Sequence, residues 1–340
     1  MNRRIFFLGM TGLAGCTRDR RPRLNVYNWS SYIAPDTIPN FEAEYGVRVR
    51  YATYESNEEM LAKVLTGNSG WDVVFPTHTR LEPMRAYGLI EPLRREWLPG
   101  LHFLAPQFRE PVWDPELRWA VPYMWNGTGV VFQHSVSPRP ERWADLWEPR
   151  FKGRITMLDD PEDMLGACLK KLGLSVSETR DTELRRAARE AIAQKPLLRA
   201  YLNAEVRDQL VAGDVLAAQL WSTTAQQAID AAPGLSFVYP REGFPLYCDC
   251  AVVLKESGRI RLAHDFLNYL LRPEVSAGIV EATRTATANL AAQTILPEAS
   301  RKNPTLYPPP DVLERAEWPR TLPPAAQRLR DRIWTEIKSA

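Results

Sequence analysis

Apolar and polar positions alternate with a period of two at the start of the chain, then recur every three to four residues, and the exchange repeats. Leu24 and Val26 alternate with Asn25 and Tyr27, which predicts a strand. The run breaks at Asn28–Tyr32 into polar groups and two large aromatics, Trp29 and Tyr32. Ile38, Phe41 and Tyr45 recur at helical spacing over Asp36–Tyr45, and Gly46 suits the residue after the helix. Val47–Tyr51 alternates as a half-buried strand. Asn57 is placed to cap a helix carrying Met60, Leu61, Val64 and Leu65 that stops near Gly67. Trp71–Phe75 is a short apolar strand ended by Pro76, and Leu81, Met84, Ala86 and Leu89 continue helically. Strands alternating with helices of this length predict a parallel sheet with helices on both faces.

From Leu93 to Pro122 the chain is irregular and rich in Trp and Pro. Ala120–Trp125 and Gly127–Phe132 then read as two extended pieces, a place for the chain to cross between lobes. Trp143–Trp147 is a short helix or one turn of it. Gly153–Leu158 is a strand that runs into Asp159–Asp163, followed by helices over Met164–Leu172 and Thr182–Gln194. Val215–Trp221, Leu235–Tyr239 and Tyr247–Leu254 read as strands. Thr224–Ala232, Ile260–Leu271 and Val275–Ala282 read as helices, and the last segment is helical in pieces between prolines. No internal repeat occurs, and none of GxxxxGK[ST], GxSxG, HExxH or GxGxxG is present.

At 340 residues the chain is long enough for two domains. A net charge of +2 gives no reason to expect a nucleic-acid partner. Four cysteines and four histidines leave no disulfide scaffold and little for a zinc site, so neither metal nor cofactor is expected. Met1–Arg4 is a positive start, and Ile5–Gly15 is an apolar run too short to span a bilayer. Leu13–Cys16 resembles a bacterial lipobox, which implies cleavage before Cys16 and lipidation of that cysteine. Arg3–Phe7 is also similar to a twin-arginine export signal. Loss of Arg3 and Arg4 brings Lys+Arg from 43 to 41, equal to Asp+Glu, and 16–23 reads as a polar tether.

Aromatics and carboxylates gather at predicted strand ends, where parallel α/β sheets bind ligands. Trp29 and Tyr32 follow the first strand, Asp159, Asp160, Glu162 and Asp163 another, Trp221 a third, and Tyr247 with Asp249 lie in a fourth. Ionised carboxylates pair with ammonium groups, and aromatic faces attract cations at ~0.5–2 kcal/mol each. Acids held apart with rings between them suit a ligand with amines at both ends. Each element also has a plainer role. Acids sit routinely at helix N-termini, and tryptophans pack cores. Asp249 differs, because an acid in the apolar run YCDCAVVL needs a partner or a cleft. Paired carboxylates can also hydrolyse glycosides.

The runs VYNWSSY (Val26–Tyr32), YATYESNEE (Tyr51–Glu59), WDVVFP (Trp71–Pro76), ADLW (Ala144–Trp147), LDDPED (Leu158–Asp163), NYLLRP (Asn268–Pro273), NLAA (Asn289–Ala292) and TLYP (Thr305–Pro308) are collinear. Together they resemble the periplasmic spermidine/putrescine-binding proteins of ABC importers, among the type II solute-binding proteins, over roughly 24–338. The resemblance implies two α/β lobes with a hinge, each a mixed, mainly parallel sheet flanked by helices. It implies a signal peptide over 1–15 and a lipidated tether over 16–23, with lobe 1 at 24–125 and 248–293 and lobe 2 at 126–247 and 294–340. It implies aromatic walls from Trp29, Tyr32, Trp221 and Tyr247, and amine-holding acids Asp160, Asp163 and Asp249. Thr77 and Thr79 would add hydroxyls. Thr79 and Thr285 stand where site tyrosines are expected, and Thr335 where a glutamine is expected; His78 would lie at the rim.

The expectation is therefore an exported, lipid-anchored, monomeric substrate-binding protein and not an enzyme. It would be periplasmic, bind a polyamine such as putrescine or spermidine, or a related organic cation, and meet the permease subunits of an ABC importer. The alternatives are the same fold holding another amine or amino-acid-like solute, a carboxylate-based periplasmic hydrolase, and a lipoprotein sensor.

Overall fold

The computed structural model describes residues 19–340, so the predicted signal peptide and Cys16 lie outside the described residues. The strands are β1 Arg23–Trp29, β2 Arg48–Tyr54, β3 Val73–Val74, β4 Val121–Gln133, β5 Ile155–Met157 and β6 Leu198–Tyr201. They continue as β7 Ala217–Trp221, β8 Leu235–Val238, β9 Phe244–Val253, β10 Ala286–Thr287 and β11 Ala316–Glu317. Their order is β2-β1-β3-β9-β4-β7-β5-β6, with β8 and β10 pairing with β4 and β11 with β9. β1 runs parallel to β2 and β3, and β5 runs parallel to β6 and β7. Between these two parallel sets lie the long antiparallel strands β4 and β9.

β4 is one continuous strand of 13 residues, where two extended pieces were expected. The reason is a change of partner without a break. It pairs with β9 as far as Gly127 and with β7 from Thr128 onward. β8 also packs closely on β4, where a Cβ at Gly129 would lie 2.5 Å from the Val238 carbonyl oxygen.

Helices follow the predicted periodicity with corrected ends. In Thr37–Tyr45, Phe41 is wholly buried, 5.0 Å edge-on to Phe266 of helix Ile260–Leu270, and Gly46 closes the helix in the left-handed region. Helix Asn57–Val64 is capped by Ser56, whose Oγ accepts the Glu59 N–H at 3.1 Å, and not by Asn57. That leaves the Asn57 amide free to reach Thr77. The helix from Leu81 stops at Ala86, so Leu89 lies beyond it, past Gly88 at φ +66°. Helix Pro273–Thr283 begins before Val275, with Pro273 at its first position, where a missing N–H has no cost. β6 and helix Val206–Val211 were not anticipated; LRAY lacks alternation and the helix is under two turns long. Among the described residues, no helix is long and apolar enough to cross a membrane.

Candidate functional site

The strand order brings three chain regions against β9. After β1, Ser31 takes a left-handed φ of 54° and turns the chain so that Tyr32 is buried. The Tyr123 hydroxyl holds the Tyr32 carbonyl at 2.8 Å. The Tyr32 hydroxyl donates to Asp249 Oδ2 at 2.8 Å. After β3, Thr77 bridges to Asp249, and its hydroxyl donates to Asp249 Oδ1 at 2.8 Å. Asn57 fixes Thr77 by bonds to both its backbone and its hydroxyl. Asp249 is 5% exposed, with each oxygen held by a neutral hydroxyl. Burial raises its pKa to about 6 against the lowering effect of Tyr32 and Thr77.

Two further acids begin helix Pro161–Lys171. Asp160 caps helix Pro161–Lys171, its Oδ1 accepting the N–H groups of Glu162 at 2.8 Å and Asp163 at 3.0 Å. This gives Asp160 the helix-terminus role that the sequence left open. Burial raises its pKa, and the neighbouring charges of Asp163 and Glu162 add to that. In the first turn of the helix, Asp163 is 2% exposed and faces inward. It accepts Thr128 Oγ1 at 2.6 Å, Trp221 Nε1 at 2.8 Å and Tyr247 Oη at 3.3 Å. Burial pushes its pKa up to about 6. Among the described residues, none of Asp160, Asp163 and Asp249 makes an ion pair with a basic side chain.

The predicted residues thus fall into two groups joined by β9: Tyr32, Thr77 and Asp249, and Asp163, Trp221 and Tyr247. Trp29 stands beside them, its Nε1 donating to the Phe75 carbonyl at 2.8 Å and its ring 4.7 Å from Tyr54. Thr79 and Thr285 are buried, and neither hydroxyl has a hydrogen-bond partner. Thr128 and Asn126 were missed; Asn126 donates to the Tyr32 hydroxyl at 3.5 Å. Their signal is the polar pair at a spacing of two within the otherwise apolar VPYMWNGTGVVF of β4.

Two expectations fail. His78 is not at a rim but 2% exposed, its Nε2 on the Pro319 carbonyl at 2.9 Å and its Nδ1 accepting the Cys248 N–H. Its ring lies 4.4 Å from that of Trp113, and burial lowers its pKa to about 4. Thr335 is exposed on the last helix and turns its hydroxyl back to the Asp331 carbonyl. C-terminal residues reach the turn after β3 through Trp318 and Pro319 on His78 and through Thr321, which donates to the Thr79 carbonyl at 3.0 Å.

Two parallel sheet segments linked by long antiparallel strands, with buried acids where they meet, define a type II periplasmic binding-protein fold. The profile described as bacterial extracellular solute-binding protein matches residues 37–308. The chain belongs to this family, among the relatives of the spermidine/putrescine-binding periplasmic proteins. It is 32% identical to the putrescine-binding periplasmic protein PotF of Escherichia coli, over 93% of this chain and 91% of that one. It is 31% identical to the E. coli spermidine/putrescine-binding periplasmic protein, over 90% and 89%. The solved lipoprotein Tp0655 (TpPotD) of Treponema pallidum superposes with a TM-score of 0.83 at 26% identity, covering 93% of this chain and 99% of that one. The family is one of binding proteins, which removes the hydrolase alternative.

Proposed function

We propose that this chain is the exported substrate-binding protein of an ABC importer and takes a polyamine or related organic cation between two lobes. Lobe 1 comprises 24–125 and 248–293, and lobe 2 comprises 126–247 and 294–340. The observation that carries this reading is the pair Asp163 and Asp249. Both are buried, and both are held only by neutral donors. A buried carboxylate without a cation is costly, and a ligand with two ammonium groups supplies both counter-charges. Trp29, Tyr32, Trp221 and Tyr247 cover the apolar stem. Two E. coli relatives named for these ligands support the choice. Anchoring through Cys16 keeps the protein at the membrane beside its permease, and the T. pallidum relative is itself described as a lipoprotein.

The test is a thermal-shift and calorimetric titration of the chain from residue 17 onward with putrescine, spermidine and spermine. Saturable binding by one of them, lost in Asp249→Asn, supports the reading; a hundredfold excess over Kd should add ~2.7 kcal/mol of stability. No response at millimolar ligand overturns it. A second reading keeps the fold and changes the solute to another amine or an amino-acid-like molecule. It rests on Thr79 and Thr285, whose buried hydroxyls lack partners where phenols were expected.

A further inference from the structure

We infer that Arg80 and Arg284 are positioning residues that clasp the two lobes over the ligand, Arg80 through Glu162 and Arg284 through Asp230. The inference rests on the two-lobe division proposed above. Arg80 follows the Thr77–Thr79 segment of lobe 1. Its Nη1 lies 2.7 Å from Glu162 Oε1 on the lobe 2 helix that carries Asp160 and Asp163. Both side chains are largely shielded, at 16% and 18% exposure. Glu58, on the same lobe as Arg80, takes the other guanidinium nitrogen at 3.2 Å and orients the fork. Burial opposes the arginine's charge, while Glu162 and Glu58 more than offset that.

Arg284 ends helix Pro273–Thr283 at a left-handed φ of 57°, a conformation uncommon for a bulky residue. Its Nε lies 2.7 Å from Asp230 Oδ2 on helix Ser222–Ala231 of lobe 2. Beside it, Gln227 Nε2 donates to the Thr283 carbonyl at 2.8 Å. Each arginine adjoins one of the two positions, 79 and 285, where a tyrosine was expected and a threonine stands with a buried, unpartnered hydroxyl. Neither clasp uses Asp163 or Asp249, so both acids stay available to the ligand.

A contact formed only on closure slows ligand escape more than it speeds encounter, so it acts on koff. It also favours closure before ligand arrives. The experiment is stopped-flow association and dissociation of putrescine or spermidine, with solution scattering of the ligand-free protein. It compares the wild-type chain from residue 17 with Arg80→Gln, Glu162→Gln, their double variant and Arg284→Gln. The inference expects koff to rise about tenfold in Arg80→Gln with kon within about twofold. The Arg80/Glu162 double variant should be no worse than either single, since both remove one contact. Arg284→Gln should raise koff a few-fold, its pair being more exposed. Ligand-free Arg80→Gln should have a larger radius of gyration than wild type. Unchanged koff, or additive effects in the double variant, overturns the inference. A destabilised Arg80→Gln is separated from a lost clasp by Glu162→Gln, which removes the same pair from the other side. If neither amine binds wild type, the proposed function fails, and the ligand-free scattering still decides the clasp.

Discussion

Tyr247 and Asp249 stand two residues apart on one face of β9 and serve different ends of the site. The Tyr247 hydroxyl donates to Asp163, while Asp249 itself accepts from Tyr32 and Thr77. The strand rise sets their Cα atoms ~7 Å apart. One short stretch of strand therefore carries one of the two buried acids and a hydroxyl that holds the other, and the first prediction concerns the acid on the strand itself.

Asp249→Asn should weaken ligand binding by ~2–5 kcal/mol, because an ammonium loses its buried partner. The same change should stabilise the ligand-free protein at pH 8. Raising a carboxyl to about 6 means that its charge opposes folding above that pH, by up to about 3 kcal/mol. Calorimetry should show the lost affinity and thermal unfolding the raised Tm. A lower Tm at pH 8 would contradict this account of Asp249.

Affinity should fall as pH drops from 7 to 5. Asp163 and Asp249 both titrate near 6 when buried, and a cationic ligand binds their ionised forms. At pH 5 each is about one-tenth ionised, so independent titration predicts a loss on the order of a hundredfold. Kd measured at half-unit steps checks this, and a flat profile would rule out these acids as the ligand's partners.

Thr128→Val should cost more affinity than Tyr247→Phe. Thr128 donates to Asp163 at 2.6 Å, whereas Tyr247 donates to it at 3.3 Å, and a bond to a charged group is worth ~1.5–3 kcal/mol when well made. Either loss should push the Asp163 titration upward, readable as a shifted midpoint in the pH profile of binding.

His78→Gln should leave the pH profile of binding unchanged and alter only stability. The folded protein holds His78 neutral to about 4, whereas an unfolded imidazole protonates near 6.5. Stability supplied by the neutral ring is thus complete above about 6.5 and is lost as pH falls toward 4, by up to about 3 kcal/mol. Unfolding midpoints between pH 7 and 4 should show a shallower acid loss in the variant.

Asp249 was legible in the sequence because a charge within an apolar strand has few places to go. The link from Tyr32 to Asp249 was suggested by an aromatic where a strand ended, whereas Trp29 at the same strand end bonds the Phe75 carbonyl instead. Asp160 was read with the right neighbours, but its own carboxylate is occupied in capping a helix. One partner of Asp163 was not legible, since Thr128 lies 35 residues away on a strand whose change of neighbours the periodicity does not record. His78 was misplaced for a related reason. A polar residue in a loop reads as exposed until Trp113, Pro319 and Cys248 close around it.

The alternation of periods by itself determined an α/β protein with helices between strands, because each period can bury only one face of its element. The residue types at the strand ends determined which acids and aromatics were candidates for a site. Only the tertiary structure decided which acids are buried without a basic partner, and that Arg80 pairs with Glu162. Those relationships depend on strand order and on contacts between distant segments, and a local pattern of hydrophobic and polar residues is the same whichever neighbour the fold supplies.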